Sequence, residues 1–150
     1  MLTILLALLP GAGVGKLITQ WPEETLKRAG ETVDISCYQN NSHQLAYMFW
    51  YQQPPGSSLK LVASTSLWLQ KSYAEGYSEA KFEISRDNSE LSVMTIKNVT
   101  RKDAATYFCA ASDRDRGFNT QYFGEGTKIT VLEKNDVIKP PAVAIFSPSK

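Results

Sequence analysis

The sequence predicts an all-β fold, an antiparallel sandwich or barrel, and three observations lead there. Short alternating or aromatic runs recur at regular intervals between turn residues. No stretch sustains a helical period. Two cysteines, Cys37 and Cys109, bracket Trp50, and Tyr107 stands two places before the second of them.

The elements follow in order. Thr32–Cys37 alternates strictly, with Val33, Ile35 and Cys37 on one face. Met48–Gln53 is aromatic and strand-like, and Pro54-Pro55-Gly56 ends it with turn chemistry. Leu59–Ala63 forms another short run. Lys81–Arg86 alternates again, with Phe82 and Ile84 inward. In Leu91–Ile96 the pair Met94 and Ile96, with Val99 beyond, competes with Leu91 and Val93 for the core face, and periodicity leaves that register open. Tyr107–Ala111 and Thr127–Leu132 complete a set of roughly seven to nine strands. A charged and proline-containing stretch, 133–141, reads as a linker. Residues 142–150 open a new apolar strand through Val143 and Ile145, as the start of a second domain would.

Composition narrows the class. The 150 residues suit one domain with extensions, and 43% hydrophobic content supports a core. Lys+Arg 16 against Asp+Glu 15 gives no polybasic surface for nucleic acid or membrane. The leucine-rich run Met1–Val14, broken by Pro10-Gly11-Ala12-Gly13, is too short to span a bilayer. With small residues at Gly13 and Gly15 it reads as a signal peptide over 1–15, although the basic n-region is missing apart from the terminal amine. A secreted chain lives in an oxidising compartment, where Cys37 and Cys109 are expected to form a disulfide closing a long loop. A zinc site is not expected, since two cysteines and one histidine, His43, cannot complete a tetrahedral shell.

Catalysis finds little to stand on. There is no nucleophile motif, and Gly124-Glu125-Gly126 lacks the following helix that a phosphate loop needs. No enzyme activity and no cofactor are expected.

The Cys37, Trp50, Tyr107-x-Cys109 arrangement resembles the immunoglobulin signature, an inter-sheet disulfide covered by an indole with a tyrosine corner beside it. Asp103-Ala104-Ala105-Thr106-Tyr107-Phe108-Cys109 is similar to the D-x-A-x-Y-x-C segment of variable domains. Phe123-Gly124-Glu125-Gly126-Thr127 resembles the F-G-x-G-T motif of joining segments, where glycines permit a bulge. Asn119–Gly124 and the stretch Pro140–Ser149 resemble the joining segment and constant-domain start of T-cell receptor β chains. The resemblance covers Lys16 to Leu132 and implies a variable-type sandwich with Greek-key topology. Immunoglobulin λ light chains share similar stretches, and an invariant cell-surface module is a third reading; Ala110-Ala111-Ser112 departs from the Ala-Ser-Ser more usual in β chains.

The resemblance implies roles residue by residue. Asp103 is expected to pair with Lys81, with Arg86 the competitor. Three loops would meet antigen: Asn41 to Tyr47, including His43 and Gln44; Ser64 to Leu69, including Thr65 and Trp68; and Ala110 to Tyr122, with Asp113, Arg114, Asp115 and Arg116 at its centre. Tyr51, Gln53, Leu59, Phe108 and Phe123 would face an α chain. A peptide–MHC ligand, invariant signalling subunits and the extracellular face of the plasma membrane belong to the same implication. Two sequons, at Asn40 and Asn98, permit N-glycosylation, and Asn98, away from the loops, is the better placed.

Overall fold

A computed structural model describes residues 17–40, 45–66, 70–86, 88–112 and 120–133. Eleven strands appear among them: β1 (Ile18–Trp21), β2 (Glu24–Arg28), β3 (Val33–Gln39), β4 (Tyr47–Gln53), β5 (Lys60–Thr65), β6 (Ser72–Tyr73), β7 (Phe82–Ser85), β8 (Leu91–Ile96), β9 (Ala105–Ser112), β10 (Gln121–Phe123) and β11 (Thr127–Leu132). They form two sheets. One runs β1-β3-β8-β7; the other runs β2-β11-β9-β4-β5-β6, with β10 also paired to β9.

Alternation decides which side chains enter the space between the sheets. In β3, Val33, Ile35 and Cys37 point inward as the sequence predicts. The open register of β8 resolves in favour of Ser92, Met94 and Ile96, because Ile35 pairs with Met94 and Val33 with Ile96 across the ladder. Phe82 and Ile84 enter from β7, Met48 and Trp50 from β4. One contiguous apolar core results.

At its centre Cys37 and Cys109 form a disulfide that joins the two sheets, and Trp50 is fully buried beside Cys109 in register. The indole N–H donates to the Ser92 hydroxyl at 3.1 Å, which donates onward to the Ser85 carbonyl at 3.0 Å. A buried polar tip is thereby satisfied without opening the core.

The tyrosine corner forms a second tie. Tyr107 is fully buried, and its hydroxyl donates to the Asp103 carbonyl at 2.7 Å. It also accepts from Gln52 Nε2 at 3.0 Å, while Tyr77 donates to Gln52 Oε1 at 2.6 Å. Asp103 sits in a 3-10 turn, Arg101–Asp103, capped by Thr100. Its carboxylate accepts from the Thr100 amide at 2.8 Å and from Lys81 Nζ at 2.7 Å. Arg86 lies beyond the far end of β7 and bonds elsewhere, so Lys81 holds Asp103 unopposed.

The chain switches sheets between β1 and β2 at Pro22-Glu23, where proline has no amide for a ladder. β2 then pairs in parallel with β11. Neither β1 nor β2 has a clear sequence signal, since β1 is partly polar and β2 carries no buried residue. Gly126 holds φ +98°, and a Cβ there would lie 2.7 Å from the Phe108 ring, so the second glycine of the joining-type motif is required.

Two outcomes follow. Cys37→Ala/Cys109→Ala should lose about 4 kcal/mol of stability for a loop of this length, read as a lower urea midpoint. Burial raises the Tyr107 hydroxyl well above the ordinary tyrosine range, so folding holds its proton more tightly than unfolding does. Its contribution is complete below about pH 10 and is lost as pH rises toward the folded value. Arg86, pulled down to about 10 by burial, acts with the opposite sign in that window. The stability difference between wild type and Tyr107→Phe should therefore shrink as pH rises above about 10, and a constant difference would contradict the assignment.

Candidate functional site: one sheet face and one end of the sandwich

The outer face of the larger sheet carries an aromatic row. Trp50 and Gln52 point inward from β4, so Tyr47, Phe49, Tyr51 and Gln53 point outward. Ring centroids run 6.5 Å from Tyr47 to Phe49, 6.4 Å from Phe49 to Tyr51 and 5.6 Å from Tyr51 to Phe123. The Tyr51 hydroxyl donates to Gln121 Oε1 at 2.8 Å, fixing one end of the row to β10. Phe123 is 47% exposed, and Leu59 and Leu61 are exposed on the neighbouring strand and its approach. Phe108 is partly buried and pairs with Tyr51 in register. Four of the five residues that the resemblance assigns to a partner-facing surface, Tyr51, Gln53, Phe108 and Phe123, thus lie on this side, and Leu59 precedes β5. Tyr47, Phe49 and Leu61 extend it; the first two were legible as outward positions once Trp50 was set inward.

The loop end is defined by strand termini. Tyr47 pairs with Ser112, Met48 with Thr65, and Ser112 with Gln121, so β4, β5, β9 and β10 all meet there. Gln39, at the end of β3, reaches across from the other sheet: its Nε2 donates to the Leu45 carbonyl at 2.6 Å and to the Ser89 carbonyl at 2.7 Å. Arg86 completes a clasp on the same backbone, with Nη1 on Ala46 O at 2.6 Å and Nη2 on Ser89 O at 3.0 Å. Among the described residues, the buried side-chain polar atoms without a partner are Gln39 Oε1, Thr65 Oγ1, Arg86 Nε and Ser112 Oγ. All four lie at this end of the sandwich, at or next to the ends of β3, β5, β7 and β9.

Several expectations are corrected. Thr65 is the last residue of β5 and only 7% exposed, because its pairing with Met48 turns the side chain into the sandwich. It is a floor residue and not a loop contact. Ala110, Ala111 and Ser112 are fully buried in β9, which shortens the third loop. Tyr47 belongs to β4, not to the first loop. Asn41, His43, Gln44, Trp68, Asp113, Arg114, Asp115 and Arg116 lie outside the described residues. Asn40 and Asn98 are both exposed, and Asn98 takes a positive φ of 49° in its turn.

Sequence reasoning also missed Gln20. From β1 its Nε2 donates to the Tyr107 carbonyl at 2.7 Å and to Thr127 Oγ1 at 3.0 Å, while its Oε1 accepts from the Gly126 amide at 3.1 Å. One carboxamide thus ties the smaller sheet to the joining-type bulge. A Cβ on Gly124 would lie 2.9 Å from Gln20 Cβ, which gives that glycine a role as well. A lone glutamine in a polar strand carries no periodic signal. No group of three potential metal ligands occurs among the described residues.

A buried inter-sheet disulfide on an indole, a tyrosine corner and a glycine bulge define a variable-type immunoglobulin domain. The chain belongs to the immunoglobulin V-set family, whose model matches residues 20–132. Its relatives narrow this further. It is similar to human T cell receptor beta variable 20-1, 34% identical over 111 residues that span 74% of this chain and 99% of that one. The mouse T-cell receptor beta chain V region C5 is 33% identical over 77% of this chain and 91% of its own length. A viral T-cell receptor beta chain-like protein of feline leukemia virus is 30% identical over 98% of this chain, which spans 45% of it. A chain solved in work on T cell specificity and activation by the superantigen toxic shock syndrome toxin-1 superposes with a TM-score of 0.73. It is 33% identical, with coverage of 79% of this chain and 100% of that one. These receptor-type V-set domains form a non-enzymatic family. Among the described residues no helix is long and apolar enough to cross a membrane.

The Arg86–Gln39 clasp has a testable consequence. Arg86→Ala removes charged donors from three backbone carbonyls, at a cost of about 2 kcal/mol. Amide exchange should accelerate around residues 45–46 and 89 while the β9–β11 ladder stays protected; uniform acceleration would deny the clasp a local role.

Proposed function

We propose that this chain is the antigen-recognition domain of a T-cell receptor β chain, which pairs with an α chain and binds peptide–MHC through its strand-connecting loops. The observation that carries this reading is the outward aromatic face of half-buried Tyr47, Phe49 and Tyr51 with exposed Phe123, flanked by Gln53 and by exposed Leu59 and Leu61. An apolar surface of this kind is costly on an isolated soluble chain and marks a partner surface. Gln53 supplies a polar group within it that can exchange bonds with a like residue across a pseudo-symmetric interface.

The loops would work by shape and a few anchors. Asp113, Arg114, Asp115 and Arg116 alternate in sign between Ser112 and the joining-type segment, and either arginine can make charge-assisted contacts with a presented peptide. Trp68 supplies a large anchor from the second loop. A rigid two-sheet frame lets these segments vary without cost to the core. The signal peptide over 1–15, the joining segment, the 133–141 linker and the constant-domain start fit a chain displayed outside the cell with invariant signalling subunits.

Co-secretion with an α chain tests the pairing. Wild type should elute as a heterodimer by size exclusion with light scattering, and alone it should self-associate. Phe123→Asp should weaken pairing about tenfold or more through a buried unpaired charge while leaving the thermal midpoint of the domain nearly unchanged. A monodisperse monomer at high concentration that ignores the α chain would overturn the proposal.

A further inference from the structure

The outer face of the smaller sheet, opposite the aromatic pairing side, carries a second apolar patch. Trp21 is 46% exposed and Tyr38 41% exposed, with Leu91 and Val93 partly exposed beside them. The register makes the patch continuous. Tyr38 lies between Thr19 on β1 and Leu91 on β8, and Trp21 opposes Ser36, which opposes Val93. Trp21 and Tyr38 are thus diagonal neighbours across a small serine, close enough for one flat ligand to span both rings.

Asn40 stands two residues beyond Tyr38 and is exposed. Its amide donates to the Leu17 carbonyl at 2.7 Å, which continues the β1–β3 pairing and the alternation of β3 by one step. Asn40 therefore leaves the sheet on the same face as Tyr38, roughly 7 Å along the strand. It opens the sequon Asn40-Asn41-Ser42.

We propose that Asn40 carries an N-linked oligosaccharide whose first sugar rings lie over Tyr38 and Trp21, so that the chain's own glycan covers this face. The Asn40 carboxamide nitrogen attacks the anomeric carbon of an oligosaccharide carried on a polyprenyl diphosphate. The N–C bond forms, the C–O bond to the diphosphate breaks, the diphosphate leaves with the electron pair, and the amide proton passes to a base. The C–H groups on one side of a hexose ring bear partial positive charge and suit the negative faces of the two aromatic rings. Around the rings the face carries uncharged Thr19, Ser36 and Ser85, while Asp34 and Glu83 lie one row further from Asn40. The proposal rests on passage through the secretory pathway and not on the identity of partner or ligand.

The test is secretion of the full chain from a eukaryotic host in an Asn98→Gly background. That change removes the other sequon while suiting the positive φ of its turn. Peptide mapping after enzymatic deglycosylation should show Asn40 converted to Asp. Deglycosylation should then lower the thermal midpoint by about 3 °C, and in Tyr38→Ala by less than half as much. Unmodified Asn40 overturns the proposal. So does an occupied site whose removal shifts wild type and Tyr38→Ala equally, since the glycan would then make no use of the ring. Tyr38 is exposed, so the variant is expected to fold, and secretion of Asn40→Gln provides the unglycosylated reference.

Discussion

Two sheets facing each other across a dry interior must be fixed in register before either outer face can be used, and here one point supplies that constraint. The Cys37–Cys109 bridge crosses the interior where Trp50 fills the adjoining volume. The bridge alone limits how far the unfolded chain can spread, and the indole gives the sheets a packed contact that fixes their separation. The Ser92–Ser85 relay takes up the indole N–H, so the large ring is buried without an orphaned donor. Around it, Gln20 and the Tyr107–Gln52–Tyr77 network fasten the sheet edges with polar ties that each satisfy several backbone or side-chain groups.

With the interior fixed, the two outer faces and one end can specialise. The β4 face is aromatic because its inward positions already hold Met48, Trp50 and Gln52, leaving the alternate ones free to serve a partner. The loop end has a polar interior: Gln39 and Arg86 hold the backbone at Leu45, Ala46 and Ser89, and Thr65 and Ser112 add buried hydroxyls at the ends of β5 and β9.

The core was legible in the sequence because period-two alternation in β3 and β7 coincides with burial, and because the cysteine, tryptophan and tyrosine positions allow few sheet arrangements. The outward placement of Tyr51 and Gln53 was legible for the same reason, since Trp50 inward forces them to the other face. What was not legible lacked a pattern. β1 and β2 are short edge strands held by pairing with β3 and β11, and Gln20 and Arg86 act through carboxamide and guanidinium bonds to distant backbone. Loop boundaries were drawn too wide at Thr65 and Ala110–Ser112, because ladder pairing with β4 carries β5 and β9 further than residue type suggests.

The central claim is that the Tyr51–Phe123 face is a partner surface built on a rigid frame. Hydroxyl-radical footprinting of the chain, alone and mixed with an α chain, reads it directly from side-chain reactivity. Phe123 and Tyr51 should lose most of their oxidation on mixing, while Trp21 and Tyr38 on the opposite sheet keep theirs. Undiminished reactivity at Phe123, or protection that appears at Trp21 instead, would contradict the account.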